Sequence, residues 1–189
     1  DMTECSLIEE NGRAHFLTKR FDRENGRKIH MQTLCGMAHY DFRLKNGHSY
    51  EQAFNVMRRL RLPYSQAQEM FRRIVFNVVV RNQDDHTKNI SFLMDSSGQW
   101  SLSPAYDMGF AYNPLGAWTA THQMSINGKF DNITRADLLS LANANNIKNA
   151  SEIIDQVCET TAGWPELAKN CGVPQKMIDG IVPHMLLSI

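Results

Sequence analysis

Asp84 and Asn89 lie five residues apart in Arg81-Asn82-Gln83-Asp84-Asp85-His86-Thr87-Lys88-Asn89. Asp107-Met108-Gly109 follows after a short apolar stretch. A carboxylate, a carboxamide and a second carboxylate in that order can do two kinds of chemistry. A carboxylate within hydrogen-bond reach of a hydroxyl takes its proton. Oxygen donors also suit magnesium, which keeps several waters and needs few protein ligands. A five-residue step lets a loop turn back so that Asp84 and Asn89 face one cleft. Either motif alone is common by chance. The signal is the ordered set: apolar helix, Asp, Asn, hairpin, Asp-x-Gly.

The elements that must hold these groups can be read on either side of them. Ser65 to Val80 is apolar at Ala67, Met70, Phe71, Ile74, Val75, Val78 and Val79, and nearly all round in its second half. That pattern predicts a buried helix ending just before Asp84. A capping box is expected at Ser65. Beyond Asn89, Ile90 to Met94 and Trp100 to Ser103 alternate weakly about Asp95-Ser96-Ser97-Gly98, which predicts a hairpin returning the chain to Asp107. The same order occurs in protein kinases. Their H-R-D-x-x-x-x-N loop supplies a base and a magnesium-holding Asn, and their D-F-G Asp holds magnesium from beyond a hairpin.

The resemblance becomes specific over Asn77 to Asn89, which is similar to the core of the HipA family of serine/threonine kinases, the toxins of bacterial toxin–antitoxin pairs. Leu102-Ser103-Pro104-Ala105-Tyr106-Asp107 resembles that family's hairpin ending, and Lys19-Arg20-Phe21-Asp22-Arg23 its adenine-contacting hinge. His30 to Cys35 and Tyr50 to Phe54 resemble segments between these landmarks. The resemblance runs from about Phe16, is dense through Asp107 and is diffuse in the C-terminal helices. It implies ATP and Mg2+ as cofactors, with Asp84 as base and Asn89 and Asp107 as metal ligands. Lys19, Arg20 and Phe21 would lie at the adenine. His86, Tyr106, Met108 and Gly109 would line the nucleotide site. Lys88 would neutralise charge on the transferred group; its alternative is a surface loop charge. The family also implies a protein substrate, such as an aminoacyl-tRNA synthetase, and a HipB-like DNA-binding antitoxin through which DNA is met only indirectly.

Other segments are read from pattern. Asn11-Gly12 between two alternating runs predicts a tight hairpin. Met31 to His39 has helical spacing at Met31, Leu34, Cys35 and Ala38. Ser49 and Gln52 predict a capping box opening a helix to about Leu60. Arg58, Arg59 and Arg61 form a basic cluster, either a solvated helix end or a phosphate-facing patch. Asp85 is expected to face solvent or to cap, because three consecutive residues rarely converge on one ion. Thr134, Ser151, Trp164 and Val173 open further helices, with Pro183 ending the last.

The 189 residues carry equal numbers of acidic and basic side chains, so a chain-wide basic field for nucleic acid is absent. Cys5, Cys35, Cys158 and Cys171 form no C-x-x-C pair and no zinc spacing. A reduced, cytoplasmic setting without a membrane span is expected. The expected fold is α+β and predominantly α-helical: a kinase-like C-terminal lobe with small β-hairpins at the cleft. Residues 1–25 form the hinge-proximal hairpin and 26–189 the helical lobe. Neither a glycine-rich phosphate loop nor a strand-borne lysine precedes the hinge, so the small ATP-clamping lobe is expected to lie outside these residues. Two other classes remain: a non-catalytic partner-binding module, and a small-molecule phosphotransferase built on the same Asp-x-x-x-x-Asn logic.

Overall fold

The Asn11-Gly12 pair turns as its composition demands. In the computed structural model, which describes residues 1–189, both residues have positive φ, 52° and 73°. The turn joins β1 (Cys5–Glu10) to antiparallel β2 (Arg13–Thr18). Both faces of this hairpin are exposed, and Leu7, Ile8, Phe16 and Leu17 are each at least half exposed. A two-residue hairpin, β3 (Arg23–Glu24) with β4 (Arg27–Lys28), follows.

The stretch expected to be a helix from Met31 divides. His30–Thr33 is a strand, β5, and only Leu34–Ala38 is helical, α1, with Thr33 accepting the Gly36 amide as its N-cap. The strand wins because β7 (Ser91–Met94) offers it an antiparallel edge, pairing His30 with Met94 and Thr33 with Ser91. The expected hairpin is therefore two strands of a three-stranded sheet, β5-β7-β8, with β8 at Trp100–Leu102. His30 packs edge-on to Trp100 within it.

Helix α2 (Tyr50–Arg59) begins at the full Ser49–Gln52 capping box. The two residues before it, His48–Ser49, form β6, parallel to β9 (Met124–Ser125). Arg58, in the last turn of α2, is engaged by Asn55 and Asn145. Helix α3 (Tyr64–Val79) starts one residue before Ser65, with Pro63 at the cap and no side-chain cap bond. Tertiary contacts recruit the expected box partner instead: Gln68 donates to Asn149, and its neighbour Gln66 accepts the Leu102 amide.

Met70, Phe71, Ile74, Val75, Val78 and Val79 of α3 are almost wholly buried, and they form the centre of the core. Helices α4 (Arg135–Ala144) and α5 (Ala150–Ala162) pack Leu138, Leu141, Ile153 and Ile154 into the same cluster. Helices α6 (Trp164–Asn170) and α7 (Gln175–Ile181) lead to a short 3-10 turn at Val182–His184, which Pro183 permits where an α-helix would break. The tail then returns under the core, and the Leu186 amide donates to the Val79 carbonyl. No helix is long and apolar enough to cross a membrane.

Thr134 caps α4 with Asp137 in a second capping box. Burial raises the Asp137 carboxyl, but hydrogen bonds from Lys129, Thr134 and Asn127 outweigh it and hold the group well below the usual carboxylate range. A depressed native value means that its stabilisation is full above the unfolded value of about 4 and fades as pH falls through the native one. Asp137→Asn should cost about 1–3 kcal/mol at neutral pH, because the side chain is buried and its donors are left partly unmatched. Melting curves of the two proteins should converge as the pH is lowered below about 4. A gap that stays constant with pH would assign the effect to packing alone.

Candidate functional site

Three backbone devices bring Asp84, Asn89 and Asp107 to one end of α3. The first is the exit from the helix. Val80 closes α3, Arg81 takes the left-handed conformation at φ 57°, and the Asn82 amide returns to the Asn77 carbonyl. Arg81 is braced by the Tyr112 ring, the His184 carbonyl and Asp131. The second is Asn89 itself. Its Nδ2 donates to the Asp84 carbonyl at 3.0 Å, so the five-residue loop is closed across its own ends. The third is Tyr106. Its hydroxyl donates to the Lys88 carbonyl at 2.6 Å and accepts from Ser91, tying the segment before Asp107 to the loop.

These bonds leave the reactive oxygens free. Asn89 Oδ1 and both carboxylates accept no hydrogen bond from the chain. Asp84 is 47% exposed at its side chain, and the one basic side chain within 4 Å of its carboxylate is His86, with Nε2 at 3.9 Å, beyond hydrogen-bond length. Asp107 is exposed and left-handed, φ 54°, a conformation that Asp adopts more readily than most residues yet still uncommon. Strain of this kind clusters at functional positions. It is maintained by Asn82, whose Nδ2 donates to the Asp107 carbonyl at 3.4 Å.

The other expected residues are distributed around this centre. Phe21 meets the Tyr106 ring with centroids 5.7 Å apart, so the hinge-like segment does reach the residue before Asp107. Burial pushes the Tyr106 phenol up, keeping it a donor. Arg20 is engaged in a two-pronged pair with Asp22, whose carboxyl is lowered to about 2 by that hydrogen bond. Lys19 extends the hairpin through its amide to Glu4. The Lys88 ammonium lies over the Phe42 ring, 4.1 Å from its centroid. His86 stands edge-on to the same ring, with Nδ1 buried and unpaired. Phe42, Arg43, Asp84, His86, Trp118 and Gln123 line a pocket of about 220 Å³ beside the Asp84 carboxylate. Met108 and Gly109 line a different cavity of about 520 Å³, apolar and walled by Phe76, Val80 and Trp164.

Asp85 corrects the sequence reading. It is neither solvent-facing nor a cap: its side chain is 1% exposed. Tyr50 Oη, His122 Nδ1 and the Gln123 amide all donate to it, at 2.7, 2.8 and 2.7 Å. A carboxylate accepts only, so His122 carries its proton on Nδ1 here. Burial, and next the Asp85 charge, push the Tyr50 phenol far above its ordinary value, so it remains a donor. Sequence reasoning also missed Tyr50, Asn77, Asn82 and His122. One signal for them was available: Asn77 interrupts the apolar run Phe76 to Val80.

A family model described as the HipA-like C-terminal domain matches residues 1–164. The chain belongs to the HipA-like C-terminal domain family. Relatives of this HipA-like domain carry kinase names. "Putative kinase Y4dM" of Sinorhizobium fredii (strain NBRC 101917 / NGR234) is 30% identical over 175 residues, covering 88% of this chain and 42% of that protein. A "Putative kinase" of Haemophilus influenzae (strain ATCC 51907 / DSM 11121 / KW20 / Rd) is 32% identical over 103 residues, covering 49% of this chain and 29% of that protein. Among solved structures, the Shewanella oneidensis MR-1 complex of HipA, HipB and operator DNA contains a chain that superposes with a TM-score of 0.67 at 19% identity. It covers 97% of this chain and 46% of that one. The fold is thus that of HipA, and the chain spans less than half the length of these relatives.

Proposed function

We propose that this chain carries the catalytic loop and magnesium segment of a HipA-type serine/threonine kinase that transfers the ATP γ-phosphoryl group to a protein hydroxyl. The observation that supports it best is the closed loop: Asn89 holds the Asp84 carbonyl while three acceptor side chains stay free at one end of α3. Phosphoryl transfer asks for positioning and charge stabilisation more than for covalent chemistry, and the braced backbone at Asp84, Asn89 and Asp107 suits the first.

Asp84 takes the proton of the attacking hydroxyl. The pocket beside it, between Phe42 and Trp118, admits the acceptor side chain. Asn89 Oδ1 and the Asp107 carboxylate fit Mg2+, being hard, unpaired oxygen donors on braced backbone. Bound there, the ion neutralises phosphate charge. Backbone from Lys19 to Phe21 meets the adenine, backed by Tyr106, and His86 and Lys88 stand on the phosphate side. Met108 and Gly109 back the magnesium segment through their apolar cavity. The remaining features follow the family resemblance: a cytoplasmic setting, an aminoacyl-tRNA synthetase as target, and a HipB-like DNA-binding partner. The similar Shewanella oneidensis chain was solved with such a partner.

A second reading, a partner-binding module without catalysis, draws on the β1–β2 hairpin. Its four apolar side chains stand half exposed, and two strands alone are marginally stable in water. Calorimetry of ATP with and without Mg2+ on the intact protein separates the readings. Magnesium-dependent binding, with phosphate appearing on serine or threonine, is the expected result. No binding in either condition would leave the second reading. Turnover of a small hydroxylated compound with no protein phosphorylation would replace the protein substrate.

A further inference from the structure

Asp85 sits within a largely buried chain of hydrogen bonds, one end of which is the Asp107 carbonyl. Tyr50, at the first turn of α2, donates to Asp85 and accepts from Asn77 Nδ2 at 3.0 Å. Asn77, in the last turn of α3, accepts from Asn82 Nδ2 at 2.9 Å. Asn82 also donates to the Asp107 carbonyl. On its other side Asp85 receives His122 and the Gln123 amide, where the irregular stretch after Gly109 re-enters the core. All five side chains are buried.

The two fixed points are rigid. Tyr50 follows a complete capping box, and Asn77 lies in the most apolar part of α3. The three points held to them are the loop residue next to Asp84, the carbonyl of Asp107, and the end of the segment lining the acceptor pocket. A buried charge with its donors is weak evidence of net stability, since apolar residues of similar volume often serve as well. What such a set does supply is a single geometry.

We propose that Asp85 is a positioning residue, which with Tyr50 and His122 holds Asp84, Asp107 and the 110–123 segment in one register. This rests on the kinase reading above. It touches no reacting atom; it acts through the backbone of its neighbours.

Asp85→Asn and Tyr50→Phe on the intact protein test it, with kinetics and amide hydrogen exchange read together. Asp85→Asn places an amide among three donors and should lower kcat about 30-fold, and Tyr50→Phe about 5-fold, with KM for ATP moved by about twofold at most. Amide exchange should speed up at 82–89 and 107–123 together, while α3 and α5 stay as protected as in the wild type. Exchange unchanged in either segment, or protection lost throughout, would overturn the proposal, as would both variants retaining kcat within about twofold in an active enzyme. If Asp85→Asn does not fold, Tyr50→Phe decides, since it keeps the ring. If the wild type transfers no phosphate, the kinase reading fails, and exchange alone decides whether Asp85 couples the two segments.

Discussion

Replacing Asp107 by Asn should lower turnover by at least about 10³-fold, roughly 4 kcal/mol of barrier, while the fold is unchanged. The argument for the unchanged fold is local. Asn tolerates the left-handed backbone at φ 54° at least as well as Asp, so no strain is added. The carboxylate makes no hydrogen bond within the chain, so none is lost. The backbone carbonyl that Asn82 holds is untouched. Stability should therefore stay within about 0.5 kcal/mol of wild type, as for exposed substitutions generally. The loss falls on charge alone: a neutral oxygen replaces the anionic donor to magnesium, and magnesium-dependent ATP affinity should fall with turnover. Initial rates at saturating Mg-ATP, set beside melting temperatures, check both halves. Near-normal turnover in the variant would remove Asp107 from the metal site.

The parts of this site that could be read from sequence are those whose partners are close in the chain. Asp84 and Asn89 are tied by a bond spanning five residues, and the Ser49–Gln52 box that opens the Tyr50 helix spans three. The Asn11-Gly12 turn needs no partner beyond its own dihedrals. What was misread depends on distant chain. Met31 continues the helical spacing of Leu34, Cys35 and Ala38, yet His30–Thr33 is a strand whose edge is completed by β7 some sixty residues on. Ser65 has capping chemistry, but Pro63 already provides an extended φ and ψ, and the glutamines find Leu102 and Asn149. Asp85 looks like a solvated loop charge until Tyr50 and His122, 35 and 37 residues away, close round it. The chemistry was thus legible where it is local, and the support for that chemistry was not.

That division makes Asp84→Asn the sharper test of roles. Asp84 is half exposed, its carboxylate meets only His86 at 3.9 Å, and its carbonyl rather than its side chain anchors Asn89. The substitution therefore preserves the loop, the volume and the positions of Asn89 and Asp107. It removes only the ability to accept a proton from a hydroxyl. Turnover should fall about 10²–10⁴-fold, the range that a positioned general base contributes. Magnesium-dependent ATP binding, measured by calorimetry, should persist near wild-type affinity, in contrast with Asp107→Asn. Lower kcat with unchanged ATP affinity is the signature of an interaction made only in the transition state. If instead Asp84→Asn loses ATP binding as Asp107→Asn does, the two carboxylates share the metal. The base would then have to come from another group in the acceptor pocket, where His86 is the nearest that can accept a proton.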